Sequence, residues 1–202
     1  MKTLSAVSLA IFFMLQAALS TAQNPGDQVH ETVDKLLAIL KDPQLKGEGQ
    51  KNQRRQQLRD VMYQCFDFTE MAKRSLGANW RSRTPEEQKE FVQLFTNLLE
   101  AAYLDKIESY NGERVQYLKN RSDGNDAEVD TKIVDNKGRE FAVNYRLHNV
   151  NGDWKVYDVV IEDISFVNNY RSQFNHVLAK SSYQDLVKMM KEKEFGSPQT
   201  KS

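Results

Sequence analysis

The sequence predicts an α+β fold in which a four-stranded twisted antiparallel sheet has one face covered by several helices. Three observations predict this class. Apolar residues recur at helical spacing as far as residue 110, alternate with polar residues from 113 to 161, and return to helical spacing after 165. Because the alternating runs are separated only by short turns, they form an antiparallel meander whose apolar face the helices cover.

The first 22 residues have the layout of a secretory signal peptide. Met1 and Lys2 give a positive start, residues 4–20 carry almost no charge, and small residues precede a cleavage site after Ala22. The apolar run is short for a membrane span, and an uncleaved anchor is the alternative interpretation. We expect a soluble, exported chain with one domain over residues 23–195 and a disordered tail over 196–202.

Charge and cysteine content exclude several classes of protein. The chain has 28 basic and 28 acidic residues, so it lacks the basic excess of a nucleic-acid-binding protein. Its net charge also gives no attraction to anionic membranes. Cys65 is the only cysteine, so no intramolecular disulfide forms, and its apolar neighbours favour a buried thiol over a reactive one.

The longest predicted helix carries a wide apolar stripe. Thr84 as N-cap, Pro85 and Glu87 form a capping box, and Gly112 closes the helix. Five other helices are predicted: one over residues 29–40, a polar one ending near residue 63, a short one capped by Asp67 or Thr69 and ended by Gly77, one capped by Ser165, and a last one that begins at Ser182 with Asp185.

Four strands follow from alternation and turn residues. The turns are predicted at Asp123-Gly124, Asn136-Lys137-Gly138 and Asn151-Gly152, and the last is a strong hairpin signal. The fourth strand runs from Asp153 to Ile161 and leads directly into a helix.

The sequence gives little support for catalysis. His30, His148 and His176 have no second ligand at a usual metal spacing, and no nucleophile elbow, phosphate loop or C-x-x-C pair is present. We therefore expect no metal and no cofactor. Asp158, Glu162 and Asp163 are the best acid–base candidates. The structural alternative, which we favour, is that Asp158 pairs with an arginine or caps backbone groups while Glu162 and Asp163 lie at a helix start.

Several motifs in order resemble one known family. They are F-D-F-x-x-M-A from Phe66, L-G-x-x-W ending at Trp80, T-P-E-E-Q-K-x-F ending at Phe91, W-K-V-Y-D-V-V-I-E from Trp154, and N-Y-R-S-Q-F ending at Phe174. Together they resemble the MlaC, or toluene-tolerance, family, and the resemblance extends from about residue 29 to 190.

The resemblance implies a periplasmic phospholipid carrier without catalytic activity. Members hold acyl chains in a hydrophobic pocket between a twisted sheet and a helical layer. They pass lipid between an outer-membrane lipoprotein–porin complex and an inner-membrane ABC transporter complex with a lipid-binding ring. A related branch is associated with hopanoid transport, which leaves the class of lipid open.

One position departs from the family. Members have E-G-[VI]-S after the last strand, whereas this chain has Glu162-Asp163-Ile164-Ser165. Since Asp adopts positive φ less readily than Gly, the geometry of this junction is in doubt.

The apolar residues of the sheet face and of the helices opposite it are the candidate wall of the lipid pocket. We assign to it Phe68, Met71, Leu76, Phe95, Leu98, Tyr103, Val143, Tyr145, Tyr157, Val159, Ile161, Ile164, Val167 and Tyr170. The last strand is ambiguous, because Trp154, Val156 and Val160 could face inward instead.

Two other classes of function stay open: an enzyme that uses Asp158 in a pocket, and an interaction module whose groove takes a partner helix. Lys73, Arg74 and Arg81 are candidates for docking an acidic partner, although a solvated face is the interpretation that we favour for them.

Overall fold

The computed structural model describes residues 24–195, so the predicted signal peptide (1–22) and tail (196–202) lie outside the described residues. Within this range the helices and strands are α1 (Pro25–Lys41), α2 (Lys51–Cys65), α3 (Phe68–Leu76), α4 (Pro85–Glu108), β1 (Arg114–Asp123), β2 (Asp126–Val134), β3 (Glu140–Val150), β4 (Asp153–Ile161), β5 (Ile164–Ser165), α5 (Phe166–Leu178) and α6 (Tyr183–Lys191). Short 3-10 helices cover Pro43–Leu45, Glu48–Gln50 and Gly77–Ser82.

The long helix α4 begins where the sequence predicts. The Thr84 hydroxyl accepts a hydrogen bond from the Glu87 backbone N–H at 3.2 Å, and the Glu87 carboxylate accepts one from the Thr84 N–H at 3.0 Å. The predicted capping box is therefore confirmed. The helix ends at Glu108, a few residues before Gly112, which lies in the following loop with a φ of 91°.

Three other predicted N-caps are also confirmed. Asp67, rather than Thr69, caps α3 by accepting from the Glu70 N–H at 2.8 Å. Ser165 caps α5 and Ser182 caps α6 through the same kind of contact. Each cap satisfies a backbone donor that the first helical turn leaves unpaired, which is why these polar residues mark the helix starts.

The sheet is antiparallel and open, with strand order β1-β2-β3-β4-β5. The predicted Asn151-Gly152 hairpin is confirmed, and both residues have positive φ, at 55° and 100°. The prediction of four strands is wrong, because β5 adds a fifth. It has two residues, which is too short to show an alternating pattern, and it pairs back onto the end of β4.

The turn between β4 and β5 shows the geometry of the junction at which Asp163 stands in place of the family's glycine. Glu162 and Asp163 both adopt left-handed backbone conformations, with φ of 48° and 65°. They form a tight turn rather than the start of a helix, so their predicted place at the helix start is wrong. This chain therefore tolerates a strained residue at the position where the resembling sequences have glycine.

We predict that Asp163→Gly stabilises the protein. A non-glycine residue in the left-handed region costs about 1–2 kcal/mol, and the extra flexibility of glycine in the unfolded chain offsets part of that gain. The expected increase in the free energy of unfolding is about 0.5–1 kcal/mol, measured by urea denaturation. The control is Gly152→Ala in the hairpin between β3 and β4, where φ is 100°. This substitution should lower the free energy of unfolding. A loss of stability in Asp163→Gly would contradict this explanation.

A β-bulge interrupts the alternation of β4. Arg146 pairs with Asp158, but the next residue of β3, Leu147, pairs with Val156, which leaves Tyr157 as the extra residue. A bulge shifts the side-chain alternation by one position. Trp154 and Val156 therefore share the apolar face with Val159 and Ile161, as Leu147 and Val143 on β3 do.

The helices cover the apolar face of the sheet. On β2, Ala127, Val129 and Thr131 are buried, while the alternating Glu128 and Asp130 are only partly buried and form ion pairs with neighbouring residues. The buried face belongs to one core cluster to which each of the six helices contributes at least one residue. This sheet–helix interior is the region where the sequence predicts the lipid pocket.

Candidate functional site

Asp158 is a buried structural carboxylate in this fold. Its side chain is 2 % exposed and lies 3.2 Å from the Arg146 guanidinium. It also accepts hydrogen bonds from the Ser165 hydroxyl at 2.5 Å and from the Val167 backbone N–H at 3.1 Å. The carboxylate thus joins β3, β4 and the start of α5. The predicted structural role, in which Asp158 pairs with an arginine and caps backbone groups, is confirmed.

His148 lies on the polar face, as its strand position predicts. Its Nε2 is 3.0 Å from the Asp67 carboxylate, and its ring packs edge-on against Tyr157. Within residues 24–195 no group of three His, Cys, Asp or Glu side chains is arranged to hold a metal ion. His148 instead connects β3 to the N-cap of α3.

Aromatic rings join α4 to α5 across the interior. Phe95 packs edge-on against Tyr170, with ring centres 5.5 Å apart. Tyr103, two turns farther along α4, stacks on Phe166 at 4.2 Å, and Phe166 lies one turn before Tyr170 on α5. These contacts follow the helical repeat, because Phe166 and Tyr170 are four residues apart on α5 and Phe95 and Tyr103 are eight residues apart on α4. The two helices therefore face one another through a row of rings.

Most of the predicted pocket residues meet in this interior. Eight of them are buried in the core cluster: Met71, Leu76, Phe95, Leu98, Val143, Val159, Val167 and Tyr170. Five are partly buried and pack against it: Phe68, Tyr103, Tyr145, Tyr157 and Ile161. Ile164 is partly buried in β5. Their contact with lipid stays a prediction.

Tyr157 has different surroundings from its predicted neighbours. As the extra residue of the bulge it lies beside His148, and the Arg74 guanidinium is 3.9 Å from its ring centre. Alternation alone would have placed it on the face of Val159 and Ile161. Val160, which pairs with Asn144, is buried outside the core cluster.

Three tyrosine hydroxyls lie in the interior. Burial raises the pKa of Tyr145 and of Tyr103 well above the ordinary value of 10.0, and the Tyr170 phenol adds to the effect on Tyr103. Burial also raises the pKa of Tyr170 to about 12. All three phenols therefore stay protonated at neutral pH and can donate hydrogen bonds within an otherwise apolar space.

Ion pairs connect α2 to α4 along one side of the interior. The Glu108 carboxylate lies 2.7 Å from the Arg54 guanidinium and 2.6 Å from that of Arg55, and Arg59 lies 2.8 Å from Glu100. Burial acts to raise the pKa of Glu108, but hydrogen bonds from both arginines outweigh it and lower that pKa. This side of the helical layer is thus held by paired charges, whereas α4 and α5 are joined by rings.

Two of the predicted docking cations are paired within the chain. Glu70 accepts a hydrogen bond from Lys73 and another from Arg74, each at 2.8 Å. The Arg74 guanidinium also lies over the Tyr157 ring. A docking role for Lys73, Arg74 and Arg81 stays a prediction.

Two grooves lie on the surface of the described chain. One, of about 440 Å³, lies between α4 and α6 and is lined in part by Glu90, Tyr183 and Lys191. The other, of about 390 Å³, lies between α1 and β1 beside His30 and Leu118. Neither groove is lined by any of the residues assigned to the lipid pocket between the sheet and the helices.

The site also contains aromatic residues that are not among the predicted pocket residues. Phe166 stacks on Tyr103, and Phe91 contacts Phe95 and Phe174 with ring centres 6.4 Å and 5.6 Å away. The signal that could have found them is the four-residue spacing itself, since Phe166 precedes Tyr170 and Phe91 precedes Phe95 by one turn.

The match to a known family covers most of the chain. Residues 30–192 match the family described as MlaC protein. The chain belongs to the MlaC family. Two relatives agree with this assignment over most of their length. The toluene tolerance protein ttg2D of Pseudomonas putida is 28 % identical over 177 residues, which cover 87 % of this chain and 81 % of that protein.

The second relative and a solved structure support the same family. The intermembrane phospholipid transport system binding protein MlaC of Haemophilus influenzae is 23 % identical over 189 residues, covering 91 % of this chain and 88 % of that protein. A phospholipid-binding protein from Ralstonia solanacearum, solved in complex with a phospholipid, has a TM-score of 0.77 and 29 % identity. The match covers 85 % of this MlaC-family chain and 97 % of the Ralstonia chain.

Among the described residues of this MlaC-family chain, none of the helices is both long enough and apolar enough to cross a membrane.

Proposed function

We propose that this chain is a soluble periplasmic carrier that holds the acyl chains of a phospholipid between its sheet and its helical layer. The observation that carries the proposal is the similarity of its fold to the Ralstonia protein, whose structure contains a phospholipid, at 29 % identity over 85 % of this chain. The names of the two relatives, one of them a phospholipid transport binding protein, agree with the proposal.

Such a carrier must keep a large apolar area of its lipid away from water. Each methylene removed from water contributes about 0.8 kcal/mol, so a pair of acyl chains needs a deep shielded space to cross an aqueous compartment. A sheet with one apolar face and the facing rings of α4 and α5 supply the wall for such a space. We propose that the sheet and the helices separate to admit the chains while the headgroup stays at the mouth.

We also propose the two sites between which the lipid moves. One is an outer-membrane lipoprotein–porin complex, and the other is an inner-membrane ABC transporter complex with its lipid-binding ring. The carrier catalyses no reaction in this proposal. The burial of Asp158 and its contacts with Arg146, Ser165 and Val167 support a structural role for the residue that best suited catalysis.

The proposal predicts that the protein extracts phospholipid from vesicles. The mature chain is incubated with vesicles that contain a fluorescent phospholipid, and the protein is then separated from the vesicles by flotation. We expect labelled lipid in the protein fraction at a fixed ratio. The conservative variant Asp158→Asn should extract as much lipid as the unmodified protein, because Asp158 does not act on lipid.

The same assay discriminates among the alternatives. Folded protein that takes up no lipid would contradict the carrier function and would favour an interaction module. Turnover of the lipid by the unmodified protein, lost in Asp158→Asn, would identify an enzyme. For the transport step, loaded protein should deliver lipid faster to vesicles that contain the inner-membrane complex than to bare vesicles.

A further inference from the structure

Two buried tyrosine hydroxyls in the interior lack a protein partner. Tyr170 is fully buried on α5, and Tyr103 is partly buried near the end of α4. Both hydroxyl oxygens are inaccessible to solvent, and neither forms a hydrogen bond with any group in the part of the chain that the structure describes. Because Tyr103 stacks on Phe166, one turn before Tyr170, both hydroxyls lie in the same part of the interior.

Another tyrosine, Tyr183, shows what a satisfied hydroxyl looks like, because its hydroxyl donates a hydrogen bond to the Glu87 carbonyl at 3.1 Å. A buried hydroxyl without a partner costs free energy, whereas phenylalanine would fill nearly the same space without that cost. Two such hydroxyls in the same part of the interior therefore indicate that a group from outside the chain accepts their hydrogen bonds.

The surroundings restrict the chemistry of that group. Both phenols are neutral donors. The rings that pack against Tyr170, those of Phe95 and Phe174, are apolar, and Tyr103 lies between the Phe166 ring and the Lys106 ammonium, which is 5.2 Å from its ring centre. An anionic phosphate is favoured on the Lys106 side of Tyr103 but would be costly to bury among the rings around Tyr170. An uncharged carbonyl oxygen accepts hydrogen bonds from two donors at little cost, and in a diacyl phospholipid it lies where the acyl chain begins.

We propose that the hydroxyls of Tyr103 and Tyr170 donate hydrogen bonds to an ester carbonyl oxygen of the bound phospholipid. The proposal rests on the proposed function, since it names the part of the cargo that this site holds. It makes the pair a specificity determinant: the carrier prefers ester-linked lipids to ether-linked lipids of the same headgroup and chain length. A trapped water would satisfy the same hydroxyls without any such preference.

The test compares matched lipids in one vesicle. Vesicles contain equal amounts of a diester and a diether phosphatidylethanolamine with identical chain lengths, and mass spectrometry gives the ratio of the two in the protein fraction. We expect the unmodified protein to enrich the diester roughly three- to tenfold, the discrimination of one or two hydrogen bonds. Tyr103→Phe and Tyr170→Phe should each move the ratio toward one. Tyr183→Phe, which removes a hydroxyl outside the pair, should leave it unchanged.

The outcomes separate the inference from the proposed function. An equal ratio in the unmodified protein would overturn the ester site and would point to a trapped water, while lipid carriage would stand. A preference that survives in both phenylalanine variants would also overturn it. Recovery of neither lipid would contradict the proposed function itself.

A second measurement does not depend on lipid transfer. In protein stripped of lipid, Tyr170→Phe removes an unsatisfied hydroxyl, and the midpoint of thermal unfolding should rise by about 2–4 °C. The same variant loaded with diester lipid should show a smaller rise or a fall. A lower midpoint in the stripped variant would show that the hydroxyl already has a partner in the protein, which would overturn the proposal.

Discussion

Replacing Asp158 with alanine is expected to lower the free energy of unfolding by about 2–4 kcal/mol. The change removes the acceptor for the Val167 backbone N–H and for the Ser165 hydroxyl, both buried, and the partner of Arg146. Because the Arg146 side chain is 37 % exposed, its charge can still be hydrated, so the loss should stay below that of a fully buried ion pair. Urea denaturation at neutral pH measures the difference.

Asp158→Asn is the matched control for this prediction. The amide keeps the size of the side chain and one oxygen that can accept from Val167, so we expect a smaller loss, about 1–2 kcal/mol. A loss of less than about 0.5 kcal/mol in the alanine variant, typical of an ordinary surface substitution, would contradict the structural role of Asp158.

Phe174→Ala is expected to lower the free energy of unfolding by about 3–5 kcal/mol. Phe174 is fully buried on α5, and its ring lies 5.2–6.2 Å from the rings of Phe91, Phe95, Tyr170 and Phe195. Removing the ring leaves a cavity where α4, α5 and the end of the described chain meet, and the surrounding rings can collapse into it only in part. Thermal or urea denaturation measures the loss.

Two variants test the cause of that loss. Phe174→Leu keeps most of the apolar volume and should lose clearly less stability than Phe174→Ala. Ser172→Ala changes an exposed residue of the same helix and should stay within about 0.5 kcal/mol of the unmodified protein. Equal losses in the alanine and leucine variants would show that packing against the aromatic cluster is not what Phe174 contributes.

The helix starts were predictable because each depends on a short local motif. The capping box at Thr84 and Glu87 and the hairpin at Asn151-Gly152 satisfy backbone groups within a few residues, so their sequence signals need no tertiary context. Both appear where the sequence places them. The alternation of β2 and β3 was likewise predictable, since a strand with one buried face must repeat every second residue.

The end of β4 was not predictable for a physical reason. A bulge adds one residue to one strand, and Tyr157 looks like any other alternating apolar residue until its partner strand is known. The two-residue strand β5 depends on positive φ at Glu162 and Asp163, which are poor signals for a tight turn compared with glycine. Both features arise from pairing with β3 and β4 rather than from local sequence.

The candidate site was partly predictable. Spacing identifies the apolar stripes that carry Phe95 and Tyr170, which meet in the interior. It does not show which polar atoms lie unpaired there. The unpartnered hydroxyls of Tyr103 and Tyr170 became visible only with the positions of both helices, because a phenol on an apolar stripe gives no sign in the sequence of whether its oxygen finds a partner.

The most direct test of the carrier function is native mass spectrometry of the mature protein purified without detergent, with the released small molecules identified. We predict a mass that exceeds the chain by a bound diacyl phospholipid at a fixed stoichiometry. A hopanoid in its place would keep the carrier function and change the class of lipid. Bare protein that also takes no lipid from labelled vesicles would contradict the account.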